Sequence, residues 1–523
     1  MGINSKINHS NIYFTGLVLL TVVMPFSNLL MSIAQILLLI NWIFEANFKY
    51  KFNLFIKNKT AVILSGVFLI HVLGLVYTSD WIYGLEDVKK KVPLLLLPLI
   101  ISTSPKIAVE KLHQILKFFL FSVFIATLIS AIKFLGFTGI EITDIRQISV
   151  FISNIRFSLM ISLGFFIAAY FYYKNQEQKK YLYLVVSLWL VGFLVLMESL
   201  TGLIAISICS LALCIYWIVK QPKKYKIPGI LLIVLILVIP TVYIGLEINK
   251  FYTTNNLKLH QLDEFSAGGE KYIHNTKSQE IENGNYVTIY IAVNELTETW
   301  NQRSLIAFDS TDRKGHLIEH TIKRFLTSKG LRKDALGVNN LSQEEIIAIE
   351  NGIANVEYQE KSSLLDRISK VIWEIDRYFK GYNPSGHSVT MRFEFWRTAI
   401  GIIKENPTWG VGTGDVLTAF KNRYEQNQSQ LGKEWRHRSH NQFLAIAVAL
   451  GLIGLLYFLF SLIYPFLNDK SSKSYIYLIF FIIAVFSMFS EDTLETQAGV
   501  TFFAFFNSLL LLGIDKTAKK SED

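Results

Sequence analysis

Asn441-Gln-Phe-Leu-Ala-Ile-Ala-Val-Ala-Leu-Gly-Leu-Ile-Gly-Leu-Leu-Tyr-Phe-Leu-Phe-Ser-Leu-Ile-Tyr-Pro465 contains no charged side chain. About 20 apolar residues in a helix cross the hydrocarbon core of a bilayer, and this run is long enough. Comparable apolar segments lie at 11–26, 27–46, 61–78, 92–104, 112–136, 154–173, 181–198, 199–219, 227–246, 475–490 and 494–514. Together they predict an all-α polytopic membrane protein with about twelve transmembrane helices. The first run has no small-residue cleavage site and continues at once into a second, so it reads as a span and not as a signal peptide.

Composition agrees with that reading. The 523 residues are 51% hydrophobic and only 18% charged, where a soluble domain carries about 25%. Mean hydropathy is +0.36. A soluble enzyme, a disordered chain and a disulfide scaffold are all excluded. The two cysteines, Cys209 and Cys214, share one apolar run and read as packing residues.

The net charge of +10 is placed as a topology signal. Residues 248–391 hold 17 Lys/Arg and 19 Asp/Glu, so the excess lies elsewhere, mostly in short loops between apolar runs. Nothing in that distribution suggests a nucleic-acid partner. The loops 47–60, 174–180, 220–226 and 466–474 and the C-terminal tail carry the lysines. All five fall on one side of the predicted spans, which the positive-inside rule makes cytoplasmic. Loops 79–91, 137–153 and 247–440 then face outward.

Four regions follow. Residues 1–246 form an N-terminal bundle of about nine spans. Residues 247–391 are an outward insert between the ninth and tenth spans. Residues 392–440 form a catalytic-loop region, and 441–523 hold three further spans and the tail. Within the insert, Tyr286-Val-Thr-Ile-Tyr-Ile-Ala-Val293 alternates and predicts a strand. Ser342-Gln-Glu-Glu345 predicts a capping box. Apolar spacing predicts a helix over 362–380. The insert is therefore expected to be mixed α/β.

Distant parts of the sequence bring cations to the outer face. Arg146 lies in loop 137–153, and Arg156 opens the next span. Arg392 precedes the return to the membrane; His437, Arg438 and His440 precede residue 441. Lys89, Lys90 and Lys91 oppose the positive-inside trend and need another reason to be there. Snorkelling towards headgroups explains any one of these arginines. A guanidinium fork also matches phosphate oxygens in a bidentate way, and the set together suits a lipid diphosphate. His440 is the candidate acid–base group, because imidazole titrates near neutrality. Its neighbour Asn441 is a candidate for orienting a substrate. The His437/His440 spacing suits a metal, but no cysteine partner stands nearby and a metal site is the lesser reading. Trp409-Gly-Val-Gly-Thr-Gly414 reads as a tight turn, with a phosphate cradle as the alternative.

Several of these motifs, taken in order, resemble the O-antigen ligase and polymerase superfamily. They are Arg392-Phe-Glu-Phe-Trp396, Glu405-Asn-Pro-Thr-Trp-Gly-Val-Gly-Thr-Gly414, His440-Asn-Gln-Phe-Leu444 and Gly451-Leu-Ile-Gly-Leu455. Asn154-Ile-Arg156-Phe157 resembles an upstream element of that family, and the insert around Thr327–Asp334 is similar to a Bacteroidetes-type variant. The resemblance implies a multi-pass glycosyltransferase of the bacterial inner membrane, acting in lipopolysaccharide biosynthesis with its site facing the periplasm. It implies a polyprenyl-diphosphate-linked glycan (undecaprenyl diphosphate) as donor, lipid A–core as acceptor, and neither metal nor other cofactor. Arg156, Arg392 and His440 take the catalytic positions. Arg146, Lys89 and Lys90 join Arg156 and Arg392 on the diphosphate. One departure is Glu198-Ser-Leu-Thr-Gly202, where the family often carries Ser-Arg. A polymerase would use the same donor site with a different acceptor; a protein O-oligosaccharyltransferase and a transporter are more distant alternatives.

Overall fold

The computed structural model describes residues 8–136, 148–174, 177–254, 261–278, 280–359 and 364–515. The chain forms two compact units, one built from residues 1–220 and 392–523 and the other from 221–391.

The first unit is helical. Its N-terminal part holds α1 (His9–Val23), α2 (Asn28–Phe44), α3 (Phe48–Lys57), α4 (Lys59–Leu73), α5 (Trp81–Lys91), α6 (Pro93–Thr103), α7 (Val109–Phe134), α8 (Asn154–Lys174), α9 (Lys180–Leu196) and α10 (Leu200–Lys220). In the second unit α11 (Lys223–Tyr252) leads to a hairpin of β1 (Ile281–Glu282) and β2 (Asn285–Tyr286). Then come α12 (Val293–Arg303), α13 (Ile318–Ser328), α14 (Ala335–Asn339), α15 (Gln343–Glu350) and α16 (Leu364–Phe379). Helix α17 (Ser388–Glu405) carries the boundary back to the first unit, which ends with α18 (Val416–Gln426), α19 (Gln442–Asn468), α20 (Tyr475–Ser490) and α21 (Gln497–Leu512).

Each of the twelve apolar segments contains a helix. Among the described residues, α7, α8, α10, α11 and α19 are long and apolar enough to cross a membrane, and the bent pair α2–α3 makes a sixth if counted as one span. Helices α1, α4, α9, α20 and α21 are apolar but only 15 to 17 residues long. At 1.5 Å per residue they reach about 22–26 Å, short of the roughly 30 Å core.

Helix α21 is the centre of the first unit. Every residue from Ala498 to Leu512 is buried, as expected for a helix apolar on all sides. Phe502 and Phe506 pack against Phe480 of α20, with Phe119 of α7 edge-on to Phe506. Lipid tails are as apolar as these side chains, so their close packing, and not exclusion from water, holds such an interface.

Helix α19 is broken at Gly451, whose φ is +66°. The glycine-rich loop fills the break. Val411 N–H donates to Val448 O, and Gly412 N–H to Ala449 O, both at 2.9 Å. Thr413 N–H reaches Gly74 O at 3.1 Å, and its hydroxyl donates to His71 O at 2.7 Å, at the end of α4. Leu452 N–H donates to Pro407 O at 2.8 Å. Backbone groups freed at membrane depth must find partners, and this loop supplies them. Its amides are thereby used, so the loop is a turn and not a phosphate cradle.

The second unit has its own core. Ile318, Ile322, Phe325 and Leu326 line one face of α13 and meet Leu296, Trp300, Val338, Ile346 and Ile349. The expected capping box at Ser342 and Glu345 is present, and the expected helix over 362–380 is α16. The expected strand over 286–293 is not. Only Asn285–Tyr286 is strand; Tyr290 turns to a φ of +54°, and Val293 starts α12. Val287, Ile289 and Ala292 are buried, so the alternation marks an inward-facing irregular segment, pinned by single bridges from Ile291 to Ile273 and Lys333. The sheet is instead a hairpin turned by Asn283-Gly284, with φ of +46° and +80°, the pattern of a two-residue type I′ turn. The insert is thus mostly helical.

A Cβ on Gly451 would lie 2.1 Å from Thr408 O. Gly451→Ala is expected to destabilise the purified protein by more than ~1 kcal/mol, read as a lower thermal midpoint. Gly192→Ala, with no atom within 4 Å of the new methyl, should leave that midpoint unchanged or raise it.

Candidate active site

Four parts of the first unit meet in one ionic network. Arg156 sits in the first turn of α8 and Arg392 in the first half of α17. Arg438 and His440 lie on the segment leading into α19, and Glu491, Asp492 and Glu495 lie between α20 and α21.

Two of these segments lock each other. Asn441 caps α19, accepting from Leu444 N–H at 3.0 Å, while its amide donates to Phe489 O at 2.9 Å. Gln442 is fully buried and accepts from Leu494 N–H at 2.6 Å. The Ser439 hydroxyl donates to Asn441 O at 3.0 Å. This lock holds His440 at a φ of +45°. A non-glycine residue in the left-handed region is uncommon, and such strain gathers at functional sites. The Asn441 side chain is engaged at both ends, so its visible role is to fix His440.

Glu491 is the hub, with a side chain only 3% exposed. One oxygen receives Arg392 Nη2 at 2.9 Å, and the other faces Arg156 Nη1 at 3.3 Å and His440 Nδ1 at 3.5 Å. Asp492 lies 3.7 Å from Arg156, 3.8 Å from His440 Nδ1 and 3.2 Å from Arg438. Arg438 continues to Glu495 and the Tyr83 hydroxyl, both at 3.1 Å. Fully buried Lys91 joins Glu495 at 2.9 Å and Asp87, one helical turn back, at 2.6 Å. Phe395 packs at 5.5 Å from the His440 ring. His437 stands 5.9 Å from it, ring to ring.

The network shifts its acids in opposite directions. Burial works to raise the Glu491 carboxyl, but His440 at 3.5 Å and the charges of Arg156 and Arg392 outweigh it and hold it below the usual range. Burial wins at Asp492 and raises it, although Arg438, His440 and Arg156 oppose. Burial, with the charge of Glu495, lifts Asp87 to about 7 despite Lys91. Burial and the neighbouring His440 charge lower His437.

Of the residues singled out from sequence, Arg156, Arg392 and His440 come together around Glu491. Arg146 lies outside the described residues. Lys89 is exposed and Lys90 lies 6.0 Å from the Tyr83 ring centre; Lys91 is the lysine of this run that enters the network. Sequence reading missed Glu491, Asp492, Glu495 and Asp87. The signal for the first three was Ser490-Glu-Asp-Thr-Leu-Glu495, a cluster of acids where two apolar runs meet on the side of His440; Asp87 stands four residues before Lys91.

The carboxylates missing from the sequence-based metal reading are also here. His440, Glu491 and Asp492 offer ligand atoms within 4.8 Å of one another, the only such group among the described residues. Yet Arg156 and Arg392 already occupy both oxygens of Glu491, and Arg438 reaches Asp492. A divalent cation there would face three guanidiniums, so this donor set fits arginine better than metal.

Residues 344–459 match the protein family described as O-antigen ligase. The matched stretch contains Arg392, the glycine loop, His440 and most of α19; Arg156, Lys91 and the 491–495 segment lie beyond it. The match supports placing the chain in the O-antigen ligase superfamily, whose members are membrane glycosyltransferases. No curated protein matches the chain.

Glu491→Gln keeps the volume and removes the charge that holds two arginines. Breaking such a buried set costs ~3 kcal/mol or more, so the thermal midpoint at neutral pH should fall. A carboxyl held below its ordinary value of 4.5 stabilises the fold above that value and loses its contribution as pH drops through the folded one. The wild-type midpoint should therefore decline below about pH 4, with a shallower acid limb in Glu491→Gln.

Proposed function

We propose that the protein moves a glycan from a polyprenyl diphosphate to a hydroxyl of lipid A–core, at the periplasmic face of the inner membrane. The observation that carries this reading is the gathering of Arg156, Arg392 and His440 around one buried carboxylate, with the O-antigen ligase match covering two of the three. Donor, acceptor and sidedness belong to the proposal.

The chemistry needs few parts. The acceptor oxygen attacks the anomeric carbon opposite the diphosphate. The C–O bond to the diphosphate breaks through an oxocarbenium-like transition state, with inversion. Negative charge grows on the leaving diphosphate as that bond lengthens. Arg392, partly open to solvent, and Arg156 behind it are the donors for that charge. Glu491 fixes both in advance, so neither reorients at the moment of reaction. One fixed donor of this kind is commonly worth ~3–4 kcal/mol.

His440 takes the acceptor proton. Its Nδ1 faces Glu491 and Asp492, which favours the proton on Nδ1 and leaves Nε2 as the base. The paired acids thus do for His440 what an orienting carboxylate does for any catalytic imidazole. The shared donor site gives a polymerase the same machinery, and the acceptor decides between them.

The test is transfer in nanodiscs from polyprenyl-diphosphate-linked glycan to lipid A–core, without nucleotide and with EDTA present. Wild type should glycosylate the core. Arg392→Ala and His440→Ala should each lose about 10²-fold or more while keeping the wild-type elution profile. Product on the lipid-linked donor instead would mean a polymerase. A His440→Ala protein with wild-type rates would remove the histidine from the mechanism.

A further inference from the structure

The second unit contains a cavity of about 370 Å³ that the transfer chemistry does not use. It lies at the end of α11 and is lined by Glu247, Glu282, Asn283, Asn355, Glu357 and Trp373, among others. We propose that this cavity binds a saccharide, through hydroxyl groups received by its carboxylates and carboxamides.

The lining joins an apolar side of Phe251, Ile372 and Trp373 to a polar side that is held in place. Glu282 is 3% exposed, taking Arg324 Nε on one oxygen and Asn355 Nδ2 at 2.9 Å on the other. Asn283 donates to Ser328 O at 3.0 Å and accepts from Asn355 at 3.1 Å. It sits at the tip of the type I′ hairpin, where its backbone cannot drift. Arg324 stacks 3.7 Å over the Trp373 ring, which ties the acidic wall to the aromatic one. Burying polar groups is costly unless they are bonded. A fixed wall of them beside an open volume of ligand size has the form of a preorganised site.

Charge narrows the ligand. Arg324 neutralises Glu282, and Lys250 pairs with Glu357 at 3.1 Å. Glu247 receives the Ser369 hydroxyl at 3.3 Å. The lining is therefore close to neutral with a slight acidic excess. Among the described residues of the lining, Lys250 is already paired with Glu357, so a phosphate has to compete for it, and a calcium ion finds Glu282 and Glu357 already paired. Each carboxylate and carboxamide oxygen has a second lone pair for a hydroxyl. A neutral, polyhydroxylated ligand matches that supply. That the saccharide is part of the transferred glycan rests on the proposed transfer reaction; the binding itself does not.

The experiment is calorimetric titration of the full-length protein in nanodiscs. The titrant is the oligosaccharide released by mild acid from the organism's own surface polysaccharide, with calcium chloride and sodium phosphate as separate titrants. Saccharide binding to wild type is expected. Glu247→Gln and Glu357→Gln, which change partly exposed groups, should each weaken it about tenfold with an unchanged thermal midpoint. His440→Ala should bind as wild type does while losing transfer, so a failed transfer reading and a failed cavity reading give different patterns. No saccharide binding, binding of calcium or phosphate in its place, or full affinity in the Glu247→Gln/Glu357→Gln double variant would each overturn the proposal.

Discussion

One buried carboxylate organises the candidate site. Glu491 has two oxygens, and three cationic or titratable groups from three segments meet them. None of those groups would sit this deep alone. An unpaired guanidinium in a helical membrane bundle carries a large desolvation cost, and so does an unpaired carboxylate. Together they are tolerated. The start of α8, the first half of α17 and the approach to α19 are all fixed relative to the α20–α21 turn through this one side chain.

The geometry of that approach depends on a second constraint, the break in α19. An unbroken helix from Gln442 would need no glycine loop. With the break at Gly451, the carbonyls of Val448 and Ala449 turn outward and are met by the amides of residues 411 and 412. The same loop caps α4, so α17, α18, α4 and α19 are joined by backbone hydrogen bonds on the path between Arg392 and His440. The glycines are needed for close approach: a Cβ on Gly410 would lie 2.5 Å from the Ala449 carbonyl carbon. The glycine-rich run, legible in sequence as a tight turn, is the brace that sets the spacing of the site.

Much of this was legible in the residues. Apolar runs gave a helix at each of twelve places, because bilayer thickness imposes a length on sequence. Arg156, Arg392 and His440 were legible because they stand in motifs that resemble a known family, beside apolar runs that predict spans. The acids were not, since Glu491, Asp492 and Glu495 read as a plain interruption between two apolar runs. The lysine run was half legible. Asp87 and Lys91 are four apart and share a helix face, whereas Lys89 points elsewhere, and sequence alone did not rank the three. In the insert, period-two alternation misled. It records which side chains face inward, and an irregular segment can alternate as well as a strand. The Asn283-Gly284 turn was the better signal.

The charge count of the network constrains how it can act. Arg156, Arg392, Arg438 and Lys91 stand against Glu491, Asp492, Glu495 and Asp87, four cations and four carboxyls. If all were ionised, an incoming diphosphate would meet a neutral set and have to compete with carboxylates for each guanidinium. The acids are not alike, however. Glu491 is held below the usual carboxyl range, while burial lifts Asp492, and lifts Asp87 to about 7. A proton on Asp87, which is paired with Lys91, would leave the network net positive with the Glu491 clamp on Arg156 and Arg392 in place. The network can thus take up a proton at Asp87, on α5, while Arg156 and Arg392 stay on Glu491. For the transfer reaction proposed, such fixed donors suit a leaving diphosphate, because the charge it develops is met by groups that do not have to move.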